Sequence, residues 1–391
     1  MRCPALLLLL VCTAVCPAQV QTDHVRPVDT DPGYDPLEDS SAVSWNAGAQ
    51  NDRLLLFLGG TGSSSSSSYN ALRLFAAGLG FHVINLSYPN NVATAGLAND
   101  PDTLVFDKYR QELCFGTPVS DAVAVDSLNA IHTRTLNLLR YLDQTHPTQN
   151  WGQFLATPDS LDWSRVAVGG HSQGSGHACY LAKHFPVERV LMFAGPNDYS
   201  DLHGNSGHWV RQLGATPVGR HYSYLSLHDE AVAYWKQFSV VQGLGSLVND
   251  DSVHVDPLSA PYGGSHCLYT TQPPGLALLY HNTPVMLSTT NSGVWTYLLT
   301  SAVTVSAVEE KDPRQLGVRP NPARDRVRIQ FTNTDGPATL EVLDATGRLL
   351  RRAPYPGGAV ELDLNDLPTG MLLLAVTDAQ GRSVARLVVE R

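Results

Sequence analysis

The five residues Gly170-His171-Ser172-Gln173-Gly174 constrain this chain more than any other stretch of it. Arg165-Val-Ala-Val168 before them has strand character, and residues 174–184 after them read as a helix. A strand that turns so abruptly into a helix forces the corner residue into a strained backbone conformation. Gly170 and Gly174 stand two positions away on either side and relieve the crowding, while Gly176 and Ala178 keep the start of the helix slim. A serine held at such a corner presents its hydroxyl at the end of a sheet. The spacing G-x-S-x-G is weak by itself; the flanking strand and helix give it meaning.

Apolar strands alternate with helical segments around this corner. Arg53-Leu-Leu-Leu-Phe-Leu58 is a continuous apolar run closed by Gly59-Gly60-Thr61-Gly62. Ser63 to Ser68 form a loop between it and a helix opening at Tyr69. Residues 81–86 are the next strand, and a polar excursion follows to about Phe115. Residues 122–142 carry apolar side chains at three- and four-residue spacing and predict a long helix, ended by His146-Pro147. Further strands are expected at 189–193, 222–227 and 252–255, with a short helix at 231–238. This alternation predicts an α/β fold, a mostly parallel sheet with helices on both faces. Residues 19–52, rich in Asp, Pro and Ser, are expected to be an irregular lead-in. After a charged linker over 306–317, short alternating strands near 327–331, 338–343, 359–364, 371–376 and 384–389 predict a small β-sandwich over 318–391.

With a formal net charge of −10 and no basic stripe, the chain lacks the footprint of a nucleic-acid binder. Residues 1–18 place one arginine before a short apolar run and a small-residue site, which predicts a signal peptide removed after Ala18. No transmembrane segment is expected in the mature chain. Of six cysteines, only Cys114, Cys179 and Cys267 lie beyond the leader, and no pair is expected among them. No Cys/His spacing suits zinc, so no metal site is expected.

A serine hydroxyl needs an imidazole within hydrogen-bond reach, itself oriented by a carboxylate. For a strand-corner-helix serine the chain order is serine, acid, histidine. His266, in Pro261-Tyr-Gly-Gly-Ser-His-Cys267, follows the last expected strand on a glycine-containing loop and is the first choice of base. His281 is the reserve; His254 lies inside a strand, and His171 and His177 frame the pocket or cap the helix. Asp229 comes directly after the strand at 222–227 and is the expected acid, ahead of Asp198 and then Glu230. The oxyanion donors are expected from the backbone N–H of Gln173 and from Gly60 or Thr61.

The oxyanion loop, the Gly-His-Ser-Gln-Gly corner and the Gly-Gly-Ser-His segment resemble the α/β-hydrolase superfamily, with a catalytic domain over residues 53–305. The resemblance implies hydrolysis through an acyl-enzyme on Ser172, usually of a carboxylic ester, small or polymeric, without metal or organic cofactor. Peptide or amide hydrolysis by the same triad, and a non-catalytic surface-binding protein on a hydrolase scaffold, are the alternatives. The chain departs from the fuller fold in lacking evident first and second strands and in placing polyserine beside the oxyanion loop. The tail resembles the C-terminal sorting domains of the type IX secretion system of Bacteroidota, through Arg319-Pro-Asn-Pro-Ala323, Asp344-Ala-Thr-Gly-Arg348, Leu367-Pro-Thr-Gly370 and Arg386-Leu-Val-Val-Glu-Arg391. That implies passage through the periplasm and outer membrane, contact with the type IX machinery, and a secreted or cell-surface location.

Overall fold

The structure, a computed structural model, describes residues 20–245, 252–275, 279–302, 316–321, 323–331, 338–344, 348–378 and 381–390. The expected signal peptide and most of the linker lie outside these residues. The chain divides after Thr304 into two compact units.

In the first unit nine strands form one sheet. They are β1 (Val20–Val25), β2 (Ser41–Asn46), β3 (Leu54–Leu58), β4 (His82–Leu86), β5 (Val166–His171), β6 (Arg189–Phe193), β7 (His221–Ser226), β8 (Val253–His254) and β9 (Cys267–Thr270). The spatial order is β1-β2-β4-β3-β5-β6-β7-β9-β8. Every pairing from β4 across to β8 is parallel, whereas β2 is antiparallel to both β1 and β4. The principal helices are α1 (Asn70–Gly78), α2 (Val105–Phe115), α3 (Ile131–Thr145), α4 (Gln173–His184), α5 (Tyr234–Leu244) and α6 (Thr289–Thr300).

The unbroken apolar runs in the central strands follow from burial on both faces. Successive side chains of a strand point to opposite sides. Leu54, Leu56 and Leu58 of β3 and Val166 and Val168 of β5 therefore join α2, α3 and α4 in one core. Leu55, Phe57, Ala167 and Leu191 face the other way, onto Leu72 and Ala76 of α1 and Trp295 and Leu298 of α6.

The stretch expected as a polar excursion to about Phe115 contains α2 (Val105–Phe115), and three further segments differ from the sequence expectation. Residues 20–46 are not an irregular lead-in, because they supply β1 and β2 at one edge of the sheet. Only Val25 of β1 is fully buried, so this edge strand carries almost no hydrophobic pattern. The helix expected from residue 122 starts at Ile131. Ahead of it the buried Glu112 carboxylate accepts the N–H groups of Val119, Ser120 and Val125 at 2.9, 2.8 and 3.0 Å, and Asp126 accepts that of Asn129 at 2.8 Å. These side-chain bonds compete with a helix. Finally, β9 lies in a stretch read as part of a glycine loop, which moves the histidine assignment below.

The second unit holds two antiparallel sheets among its described residues, of three and four strands. Arg326–Phe331 alternates strictly, with Val327, Ile329 and Phe331 inside. They share one core with Leu340, Val342, Leu374 and Leu387 of the other sheet. Gly317–Arg319 and Leu349–Tyr355 are strands without a sequence expectation, the first very short and the second interrupted by Arg351 and Arg352.

Candidate active site

Ser172 stands at the corner between β5 and α4 with φ 55° and ψ −124°, a region that non-glycine residues seldom occupy. The surroundings impose it. The Ser172 N–H donates to the Phe193 carbonyl at 2.8 Å, and its own carbonyl accepts from the Ser175 amide at 3.1 Å and the Ser175 hydroxyl at 2.5 Å. A Cβ on Gly170 would lie 2.2 Å from the Gly174 carbonyl carbon, and one on Gly174 would lie 2.1 Å from the Leu58 carbonyl oxygen. Both glycines are needed for α4 to press against the end of β3. Ser172 is half-buried and opens on a cavity of about 660 Å³ that Thr61, Gln173, Asn197, Val232 and His281 also line.

The backbone N–H groups of Thr61 and Gln173 have no hydrogen-bond partner among the described residues. Gln173 opens α4, where the first amides have no acceptor within the helix. The Thr61 hydroxyl donates to the Gln173 side-chain oxygen at 2.8 Å and ties the two loops together. Gly60 does not fit its expected alternative role, since its N–H donates to the Tyr69 hydroxyl oxygen at 2.9 Å. Thr61 is the open donor of the two.

The histidine that meets the acid is His281, not His266. His281 Nδ1 lies 2.6 Å from Asp229 Oδ2. Asp229 Oδ1 accepts from the Ala231 and Val232 amides, both at 2.9 Å, and Oδ2 also accepts from the Gln237 side chain at 2.8 Å. Burial works against ionisation of Asp229, but the His281 contact and these donors outweigh it and hold the carboxyl below the usual range. An anchored carboxylate keeps the proton on His281 Nδ1 and leaves Nε2 as the acceptor. Glu230 holds the histidine loop, accepting the amides of Tyr280 at 2.9 Å and His281 at 3.0 Å.

His266 fails for a topological reason. Strand register sets Cys267 level with Ser223, Met192 and Gly170. His266 thus enters the start of β9, below the level of Ser172 and three strands across, roughly 14 Å at ~4.8 Å per strand. Its ring stacks on Tyr222 with centroids 4.2 Å apart. His281 instead comes after β9, where the parallel strands end. Asp198, the rival acid, is buried in an ion pair with Arg110, whose Nε donates to Oδ2 at 3.0 Å; Trp209 Nε1 donates to the same carboxylate at 2.7 Å. Arg110 also donates to the Gln173 carbonyl at 2.7 Å, so this pair supports the corner from beneath. His254 pairs with Asp256 at 2.9 Å on the edge strand.

Sequence reasoning overlooked a second histidine link. His171 Nε2 lies 3.1 Å from the His281 carbonyl oxygen, which can only accept, so Nε2 carries the proton. Burial, with His281 nearby, pushes the His171 pKa down to about 3, and the ring is neutral. Its Nδ1 therefore accepts from Tyr69, 3.0 Å away, whose hydroxyl keeps its proton because burial raises its pKa. Gly60, Tyr69, His171 and the His281 carbonyl form one chain of hydrogen bonds from the loop after β3 to the His281 backbone. The polyserine turn is packed as well: Ser63 donates to the Gly60 carbonyl, and Asp39 accepts from Ser64 and Ser66. His177, buried and held neutral by burial, stacks on Tyr109 and does not line the cavity.

Among the described residues no group of three or more His, Cys, Asp or Glu could hold a metal ion, and no helix is long and apolar enough to cross a membrane. Cys114, Cys179 and Cys267 are buried, and no disulfide joins them.

Residues 318–390 match the family model of the secretion system C-terminal sorting domain. No curated protein matches the chain. Solved structures that align with it include PorZ, described as an essential bacterial surface component of the type IX secretion system of Porphyromonas gingivalis, at 23% identity over 22% of this chain and 13% of that one, TM-score 0.19. A biofilm associated protein BSP domain aligns at 14% identity over 19% of this chain and 14% of that one, TM-score 0.17. The alignments span less than a sixth of either of those chains. The C-terminal unit is a type IX secretion sorting domain, and this protein is accordingly exported to the cell surface or beyond.

Proposed function

We propose that the first unit is a serine hydrolase of the α/β-hydrolase fold that cleaves carboxylic esters through an acyl-enzyme on Ser172. One observation carries the reading: around a single cavity stand a strained Ser172, a His281–Asp229 pair at 2.6 Å, and the unpartnered amides of Thr61 and Gln173. The mostly parallel sheet, with Ser172 at the end of a central strand and helices packed on both faces, supports the same reading. So do β1 and β2, which fill the positions the sequence left without candidates.

In the first step His281 Nε2 takes the proton of Ser172 Oγ as that oxygen bonds to the ester carbonyl carbon. Asp229 stabilises the resulting imidazolium, and the two amides meet the negative carbonyl oxygen. The bond to the alcohol then breaks, and the alcohol leaves with the proton from His281. Water repeats the sequence and releases the acid. Among the described residues no Asp, Glu, Lys or Arg lines the cavity, and Ala93, Val232, Val285 and Met286 contribute apolar wall. That lining favours uncharged, largely apolar esters over substrates held by their charges. The sorting domain would deliver the activity outside the cell, where small or polymeric esters are accessible.

Short-chain p-nitrophenyl esters and the matching anilides test the proposal. Ester turnover that falls about 10⁶-fold in Ser172→Ala is expected. Preference for the anilides would move the function to amide hydrolysis. Folded protein that cleaves neither, but binds them, would overturn it in favour of a surface-binding scaffold.

A further inference from the structure

Asn197 lies beyond β6 in Ala194-Gly195-Pro196-Asn197 and lines the cavity. Its Nδ2 donates to Ser172 Oγ at 3.1 Å. The residue is only 6% exposed, and its Oδ1 is buried with no hydrogen-bond partner among the described residues. For the fold alone this is a poor arrangement: one end of the amide has lost water without compensation, and the other end bonds to a serine hydroxyl. A buried polar group left unsatisfied in a native protein needs an explanation, and a catalytic role is one.

We infer that Asn197 is a catalytic residue that donates a hydrogen bond to Ser172 Oγ and stabilises the negative charge that gathers on that atom in both halves of the reaction. The inference rests on the acyl-enzyme function proposed above. In acylation, charge builds on Oγ as its proton moves to His281, before the new bond to the carbonyl carbon passes that charge on to the carbonyl oxygen. The Asn197 hydrogen bond occupies one lone pair and leaves the O–H free to point at His281. In deacylation, water gives a proton to His281 and its oxygen bonds to the carbonyl carbon. The C–Oγ bond then breaks, Oγ takes the electron pair, and the proton on His281 passes to Oγ. A donor already seated on Oγ makes it a better leaving group in that step.

The full-length chain with a p-nitrophenyl ester that shows a burst separates the two half-reactions. Asn197→Ala is expected to lower both the burst rate and the steady-state rate by about 10- to 100-fold, judged by other single donors to charged atoms. Its KM should change little, and its Tm should stay the same or rise, since an unsatisfied buried carbonyl is removed. Asn197→Asp, which can only accept, should lose more activity than the alanine variant. A drop in Tm with unchanged rates per folded molecule would overturn the inference, as would wild-type rates in Asn197→Asp. Activity surviving in Ser172→Ala would instead sink the acyl-enzyme reading itself. An inactive Ser172→Ala beside fully active Asn197 variants would sink only the role of Asn197.

Discussion

The serine arm and the histidine arm of this site are held by different physics. Ser172 is fixed by backbone sterics: a tight corner, two glycines with no room for a Cβ, and a helix pressed against β3. Almost everything that holds it lies within a few residues along the chain or one strand away. His281 is fixed by side chains from elsewhere, with Asp229 on its ring and Glu230 and His171 on its backbone. Asp229 is in turn held by Gln237. A sterically built arm fails by unfolding, whereas one hung on hydrogen bonds can lose alignment in a protein that remains folded.

The largest effect should come from the histidines. His281→Ala is expected to lower kcat by about 10⁵- to 10⁶-fold, while His266→Ala should keep kcat per folded molecule and lower Tm through the lost stacking on Tyr222. Equal losses in the two variants would remove the distinction between them. Next come the aspartates. Asp229→Asn should cost about 10⁴-fold in kcat by releasing the tautomer of His281. Asp198→Asn should leave Arg110 as a buried cation without its counter-charge and cost about 3–5 kcal/mol of stability, read as a lower denaturant midpoint. Gly174→Ala tests the steric arm directly: a Cβ against the Leu58 carbonyl should destabilise by about 1–3 kcal/mol or more, visible in a thermal melt. Glu230→Ala should lower kcat/KM about tenfold, the scale of one or two net hydrogen bonds, with little change in Tm.

The two units offer a smaller contrast with pH. All 14 histidines precede residue 282, so the sorting domain has none. Burial lowers the pKa of His171 to about 3 and that of His221 to about 4, against about 6.5 in an unfolded chain. As pH falls below about 6.5 the unfolded first unit binds protons that the folded unit refuses, so stability is lost progressively toward pH 4. Scanning calorimetry at pH 7 and pH 5 should show the transition of the first unit moving down, and the histidines give the second unit no such shift.

The same division between local and distant forces governs what could be read from the sequence. The Ser172 corner was legible because strand, glycines, serine and helix are consecutive. Asp229 was legible because it follows its strand directly. The partner of Asp229 was not, because choosing between His266 and His281 depends on β9, whose four residues follow two glycines and carry little pattern. With β9 in place, His266 lies at the wrong end of a strand. The edge strand β1 was hidden by its exposed polar side chains, and the late start of α3 by Glu112, which sits in the preceding helix and captures amides up to 13 residues away. Tyr69 and Asn197 had no sequence signal, since each acts through a contact that only the folded chain creates.

The most direct test of the central claim is the mass of the intact protein after reaction with a stoichiometric fluorophosphonate, followed by peptide mapping. A single adduct on Ser172 that forms at a normal rate in His266→Ala and fails to form in His281→Ala is the predicted result. Folded wild-type protein that acquires no adduct, or His281→Ala that reacts as fast as wild type, would contradict a Ser172 nucleophile served by His281.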